Sequence, residues 1–233
     1  MENIIEVKNI TKTYKNGDVI THVLRGINLG IRSGEWVAIM GKSGAGKSTF
    51  LYQMSLLDTP SSGQIIVEGK DVLELSDTDR TDFRLTELGY VFQDYALVRE
   101  LSALENVMMP ILMKGTSREE AKEIAKLSLT RIGLGHRLEN LPNQLSGGEQ
   151  QRVSIARAVA QNPKILFADE PTANLDSITS QSIIEVFKEI HQSGQTIVMV
   201  THEKEYTQYC DRVIYLADGK IVDEEIRNSS STL

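Results

Sequence analysis

Nine consecutive residues, Gly41-Lys42-Ser43-Gly44-Ala45-Gly46-Lys47-Ser48-Thr49, constrain this chain more than any other stretch. They follow the apolar run Val37 to Met40 and open a segment of helical character, Ser48 to Leu57. Glycine allows the sharp backbone path by which successive N–H groups turn inward, and a helix starting at the same point adds partial positive charge. Between a strand and a helix, such a loop is a cradle for phosphate oxygens. Lys47 is placed to hold the β and γ phosphates of a nucleotide. Ser48 offers a hydroxyl to Mg2+, an ion that keeps most of its octahedral shell as water and phosphate oxygen.

The rest of the chain agrees with an α/β fold. Ile165 to Ala168 and Thr196 to Val200 are short apolar runs of the kind buried on both faces in a parallel sheet. Helical stretches lie at Ser117 to Ile132, Glu149 to Ala160 and Ser177 to Gln192, the last closed by Gly194. Ser117 with Glu120 reads as a capping box, and Ala121, Ile124, Ala125, Ser128 and Ile132 form one small or apolar face. Residues 4 to 10 and 65 to 68 read as strands of a small antiparallel N-terminal sheet, with turns at Gly63 and Gly69. Val213 to Leu216 and Lys220 to Val222 flank Asp218-Gly219 as a hairpin. We expect one domain: a core of residues 1–92 and 161–233, into which a helical subdomain of about residues 93–160 is inserted. The tail from Asn228 to Leu233 reads as loose.

Further chemistry sits at strand exits. Asp169 and Glu170 end an apolar strand, where α/β sheets deliver groups to their ligands. An acidic pair there also suits a solvated loop, and the phosphate cradle upstream favours function. Asp169 is then a Mg2+ ligand acting through the second shell, and Glu170 orients or deprotonates the water that attacks the γ-phosphate. Of the four histidines, His202 alone follows a central strand, so its imidazole is the one placed to bond the γ-phosphate or that water. Leu145-Ser146-Gly147-Gly148-Glu149-Gln150 opens another helix with capping-box spacing and two glycines. It is a second anion-binding helix end.

The loop at 41–49, the Leu145–Gln150 motif, the Asp169–Asp176 stretch (DEPTANLD) and His202 occur in the order and spacing of ABC-type ATPases, a family that this sequence resembles over nearly its whole length. The resemblance implies a P-loop ATPase with a mainly parallel central sheet, an N-terminal antiparallel β-subdomain and an inserted helical subdomain. It implies a homodimer formed on ATP binding, packed head to tail, with Ser146 and its glycines closing over the γ-phosphate held by the other copy. It marks Tyr14 as the aromatic that stacks on adenine, Gln93 as the glutamine that senses Mg2+ and the attacking water, and Asp176 as the residue coupling the two sites. Phe92 to Leu97, Leu104 to Pro110 and an extra loop at Lys15 to His22 are similar to the MacB and LolD type, which drives a permease on a separate chain in export, lipoprotein release or antimicrobial peptide resistance, with a periplasmic or extracellular adaptor as a further candidate partner. The segments Gln93 to Arg99 and Met108 to Met113 are then either its docking surface or core packing. Lys42 stands where proline or a small residue is frequent, and Ala173 where glycine is common; neither change removes a catalytic group.

Composition bounds the partners. A formal charge of -7 argues against a duplex-DNA footprint and against nucleic acid as the main partner; clamp-like ABC ATPases acting on DNA or ribosomes are the alternative reading. The single cysteine, Cys210, excludes an internal disulfide and reads as a core residue. No apolar run is long enough to span a bilayer, so the expected place is cytoplasmic, peripheral on the membrane's inner face through the permease.

Overall fold

A computed structural model describes residues 3–227. The elements run β1 (Asn3–Asn16), β2 (Val19–Arg32), β3 (Trp36–Met40), α1 (Lys47–Met54), β4 (Ser62–Val67), β5 (Lys70–Asp71), α2 (Asp77–Glu87), β6 (Leu88–Val91), α3 (Ala103–Met113), α4 (Arg118–Arg131), α5 (Gly147–Val159), β7 (Ile165–Asp169), α6 (Ser177–Gln192), β8 (Thr196–Val200), β9 (Arg212–Ala217) and β10 (Lys220–Ile226), with 3-10 turns at Pro142–Gln144 and Lys204–Tyr209. They group into two compact units, one running up to Asp82 and resuming at Gly194, the other spanning Phe83–Ser193. The expected loose tail lies outside the described residues.

The first unit holds two sheets. The antiparallel one runs β2-β1-β4-β5, and its strands alternate inward-facing Ile5, Val7, Leu24, Ile27, Leu29 and Ile31 with exposed residues, as a sheet with one wet face requires. The stretch Lys15 to His22, expected as a loop, is instead paired strand up to Asn16 and from Val19, leaving a tight turn at Gly17. Gly63 marks no turn either: it lies inside β4, where a Cβ would press on the carbonyls of Lys8 and Asn9 at 2.6 Å beside a register shift. In the other sheet β3 pairs in parallel with both β8 and β9, and every residue of β3 and β8 is buried. The Asp218-Gly219 turn joins β9 to β10 antiparallel, with φ 47° and 74°. This hairpin braces the cradle, for Gly219 N donates to Ala45 O at 3.1 Å and a Cβ on Gly41 would collide with Leu216 O.

In the second unit β6 and β7 are parallel, and α5 packs on β6 and on α3, α4 and α6. Three helices lying wholly in this unit start on serine caps. Ser102 and Glu105 close a full capping box on α3, as do Ser146 and Glu149 on α5. Ser117 caps α4 through Glu120 N alone, so the box expected there is half formed. Ala121, Ala125, Leu129 and Ile132 are the buried positions of that region. Cys210, in the first unit, is a core residue, and burial pushes its thiol pKa far up. Among the described residues no helix is long and apolar enough to cross a membrane.

Candidate functional site

In the first unit the phosphate loop runs from the end of β3 into α1. Gly46 is the N-cap of α1 with φ 99°, and a Cβ there would sit 3.1 Å from Val23 O. Backbone conformation and space both demand glycine. Lys42, Ser43 and Gly44 are exposed, whereas Ala45, Gly46 and Lys47 are buried, with Ser48 and Thr49 between these extremes. Lys47 folds back over the loop, its Nζ 3.4 Å from Lys42 O, and Ala45 N closes the turn onto the same carbonyl at 3.1 Å. His202 is exposed just past β8. Thr201 N donates to Ile39 O at 3.2 Å, which holds the exit of β8 alongside that of β3.

Tyr14, on β1, is 44% exposed, and its ring is fixed by residues that the sequence did not flag. Its hydroxyl donates to Asp58 at 2.8 Å, Lys12 Nζ lies 4.8 Å from the ring centroid, and Asp58 also accepts from Lys12 and from Gln53 Nε2 at 3.0 Å. Burial raises the Asp58 pKa, but hydrogen bonds from Lys12, Tyr14, the Thr59 amide and Gln53 outweigh it and hold the carboxyl below its ordinary range. Partial burial and the Asp58 carboxylate raise the Tyr14 phenol.

The second unit brings its motif residues together through a chain of contacts. Gln93 is exposed after β6, and Asn174 Nδ2 donates to its carbonyl at 3.0 Å. Asp169 is buried at the end of β7, and Glu170 follows with φ 43°, a left-handed conformation costing on the order of 1 kcal/mol in a non-glycine residue. Asp176 caps α6, accepting from the amides of Ile178 and Thr179 and from the Thr179 hydroxyl at 2.6 Å. These bonds, the Thr179 hydroxyl first, depress its pKa. The methyl of Thr179 leaves no room for a Cβ on Gly148, and one on Gly147 would stand 3.0 Å from the Tyr95 hydroxyl. Close packing on Thr179 therefore demands glycine at 148, and a side chain at 147 would press on the Tyr95 hydroxyl. Ser146 is exposed, and Glu149 reaches back to Ser146 N at 2.8 Å while Arg137 Nε lies 3.1 Å from its other oxygen. The Ser146 backbone bond leads the causes that lower the Glu149 pKa. Gln150 Nε2 donates to Leu145 O at 3.1 Å.

Tyr95 and Ala96 also take left-handed φ, 64° and 48°. Arg157 on α5 bonds both of their carbonyls, at 2.9 and 2.6 Å. Desolvation lowers its pKa, opposed by nearby Asp94. The loop lines a cavity of about 550 Å³ with Leu97, Arg99 and Pro142. A second cavity, of about 520 Å³, is lined by Met108, Met109, Leu112 and Met113, of which Met113 is 65% exposed.

Residues 24–173 match the family described as ABC transporter. The whole chain is 47% identical to an uncharacterized ABC transporter ATP-binding protein of Methanocaldococcus jannaschii, covering 94% of this chain and 98% of that one. It is 45% identical to the lipoprotein-releasing system ATP-binding protein LolD of Aquifex aeolicus, over 97% of this chain and all of that one (100%). It is 46% identical to the macrolide export ATP-binding/permease protein MacB of Chlorobium luteolum, over 97% of this chain but 34% of that longer protein. A solved structure, the dimeric post-hydrolysis state of the ATP-binding cassette MJ0796 bound to ADP and Pi, superposes with a TM-score of 0.89 at 42% identity, over 95% of this chain and 98% of that one.

Proposed function

The chain belongs to the ABC transporter family as an ATP-binding, ATP-hydrolysing subunit of the LolD and MacB type, and from this we propose that ATP closes a head-to-tail pair of copies whose hydrolytic reset drives a membrane permease on a separate chain. The observation that carries the reading is that two helix starts are built on glycine: the loop before α1, whose cap Gly46 makes no side-chain bond, and the exposed Ser146 cap of α5, followed by Gly147 and Gly148. One nucleotide fold needs one cradle, so the second serves the nucleotide of the neighbouring copy.

In this reading the backbone from Gly41 to Gly46, with Thr49, wraps the phosphates, and Lys47 neutralises the β and γ groups. Ser48, Asp169 and Gln93 offer a hydroxyl, a carboxylate and an amide oxygen, the hard donor set that suits Mg2+. When bound, that ion spreads the charge developing on the phosphates. Glu170 positions and deprotonates the attacking water, His202 bonds the γ-phosphate, and Tyr14 stacks on adenine. Ser146, Gly147 and Gly148 close over the partner's γ-phosphate, with Glu149 and Gln150 holding the helix start, and Asp176 couples the paired sites. Residues about 93–160 act as the helical subdomain, moving against a core of 1–92 and 161–233.

The cavity lined by Met108 to Met113 supports docking of a cytoplasmic helix of the permease, because large apolar side chains are left partly exposed there. The complex sits on the cytoplasmic face of the membrane, and export, lipoprotein release or peptide resistance fits the permease type. Purified Glu170→Gln retains ATP and accumulates as a dimer on size exclusion, while Lys47→Ala loses ATP binding. A monomeric Glu170→Gln with undiminished turnover sinks the mechanism. Copurification from detergent-solubilised membranes yields the permease, and recovery of nucleic acid instead overturns the transport role.

A further inference from the structure

The segment after Gln93 follows a path that its residues do not favour. Neither Tyr95 nor Ala96 is glycine, yet both are left-handed, and one side chain from another element ties both of their carbonyls. The terminal nitrogens of a guanidinium are held at fixed spacing in one plane, so two adjacent carbonyls are read as a unit. An apolar side chain of similar volume on α5 would avoid the desolvation of a cation, so packing alone does not account for an arginine at this position. The same segment is held from two other sides. Asn174 bonds Gln93 O, and the Tyr95 hydroxyl lies where a side chain on Gly147 would stand.

We propose that Arg157 is a positioning residue, clamping the Tyr95–Ala96 turn in its left-handed form and thereby fixing Gln93 with respect to the start of α5. The inference rests on the role given above to Gln93. Any displacement of α5 carries the Tyr95 and Ala96 carbonyls with it, so α5 and the Gln93 segment move together.

The test uses the full chain with ATP and Mg2+. Arg157→Lys, whose single ammonium cannot span both carbonyls, lowers kcat by on the order of tenfold or more. The KM for ATP stays within about twofold. Ala96→Gly alone keeps near wild-type turnover, because glycine accepts this φ without strain. In the Arg157→Lys background it restores most of the lost kcat, which a merely structural arginine would not permit. Amide exchange at Tyr95 and Ala96 rises in Arg157→Lys. Unchanged exchange, or Ala96→Gly deepening the loss, overturns the clamp. Raised exchange with unchanged kcat leaves the clamp standing and overturns the role of Gln93. Should Arg157→Lys not fold, recovery of folded protein by Ala96→Gly supports the clamp and failure to recover overturns it.

Discussion

Asp58 receives three side-chain donors from two elements, Lys12 and Tyr14 of β1 and Gln53 of α1, and its own burial is too slight to cancel them. Its folded pKa lies below the ordinary 3.8, so the stability it contributes is fully present above that value and is lost as pH falls through the lower folded value. The difference in denaturation midpoint between the protein and Asp58→Asn should be constant near neutrality and shrink progressively as pH falls through the ordinary carboxylate range and below it. At neutral pH the same substitution frees the Tyr14 ring and should raise the KM for ATP a few-fold with kcat unchanged, as expected for ground-state binding. At this scale the sequence was legible only where a motif spoke. Gly41 to Thr49, Asp169, Glu170 and Ser146 stand at element ends because each combines a local conformational need with a chemical group. Asp58 and Arg157 carry no such mark, and Asn174, although within the DEPTANLD stretch, shows no sign there of its bond to Gln93. Arg157 and Asn174 bond backbone carbonyls, Asp58 draws on Lys12 and Tyr14 from far along the chain, and nothing in the stretch Leu57 to Ser61 announces a hub.

Helix α3 depends on a single buried amide. Asn106 accepts from Val98 N at 2.8 Å and donates to the carbonyls of Val98, Leu101 and Ser102, so it ties the loop before α3 to the helix's first turn. Asn106→Ala removes the side-chain partner of Val98 N and Leu101 O, while Val98 O and Ser102 O keep backbone donors, and should cost about 2 kcal/mol in chemical denaturation with ATP affinity little changed. The helix itself was not legible in the sequence, because Pro110 inside it reads as a breaker. The cap at Ser102 and contacts with α4 and α5 override that signal. Helix α2 was missed for the opposite reason: none of its residues is buried, so no apolar stripe betrays it. By contrast β8 and α6 keep the bounds expected of them, Thr196–Val200 and Ser177–Gln192, since uniform burial in one and an Asp cap with a closing glycine in the other leave little freedom.

For the whole molecule, the proposed head-to-tail pair makes a complementation test possible. A chain carrying Lys47→Ala and a second carrying Ser146→Arg are each inactive alone, yet mixed together they form one site from the intact loop of one and the intact helix start of the other. Turnover of the mixture should exceed the sum of the separate proteins, and a side-by-side pair, in which each copy completes its own site, gives no gain. Both members of such a pair depend on a late part of the chain. The cradle at residues 41–49 is braced by the β9–β10 turn through Gly219 and by Leu216. A nascent chain arrested short of residue 219 lacks the bond from Gly219 to Ala45, so its phosphate loop should hold nucleotide less tightly than that of the released chain.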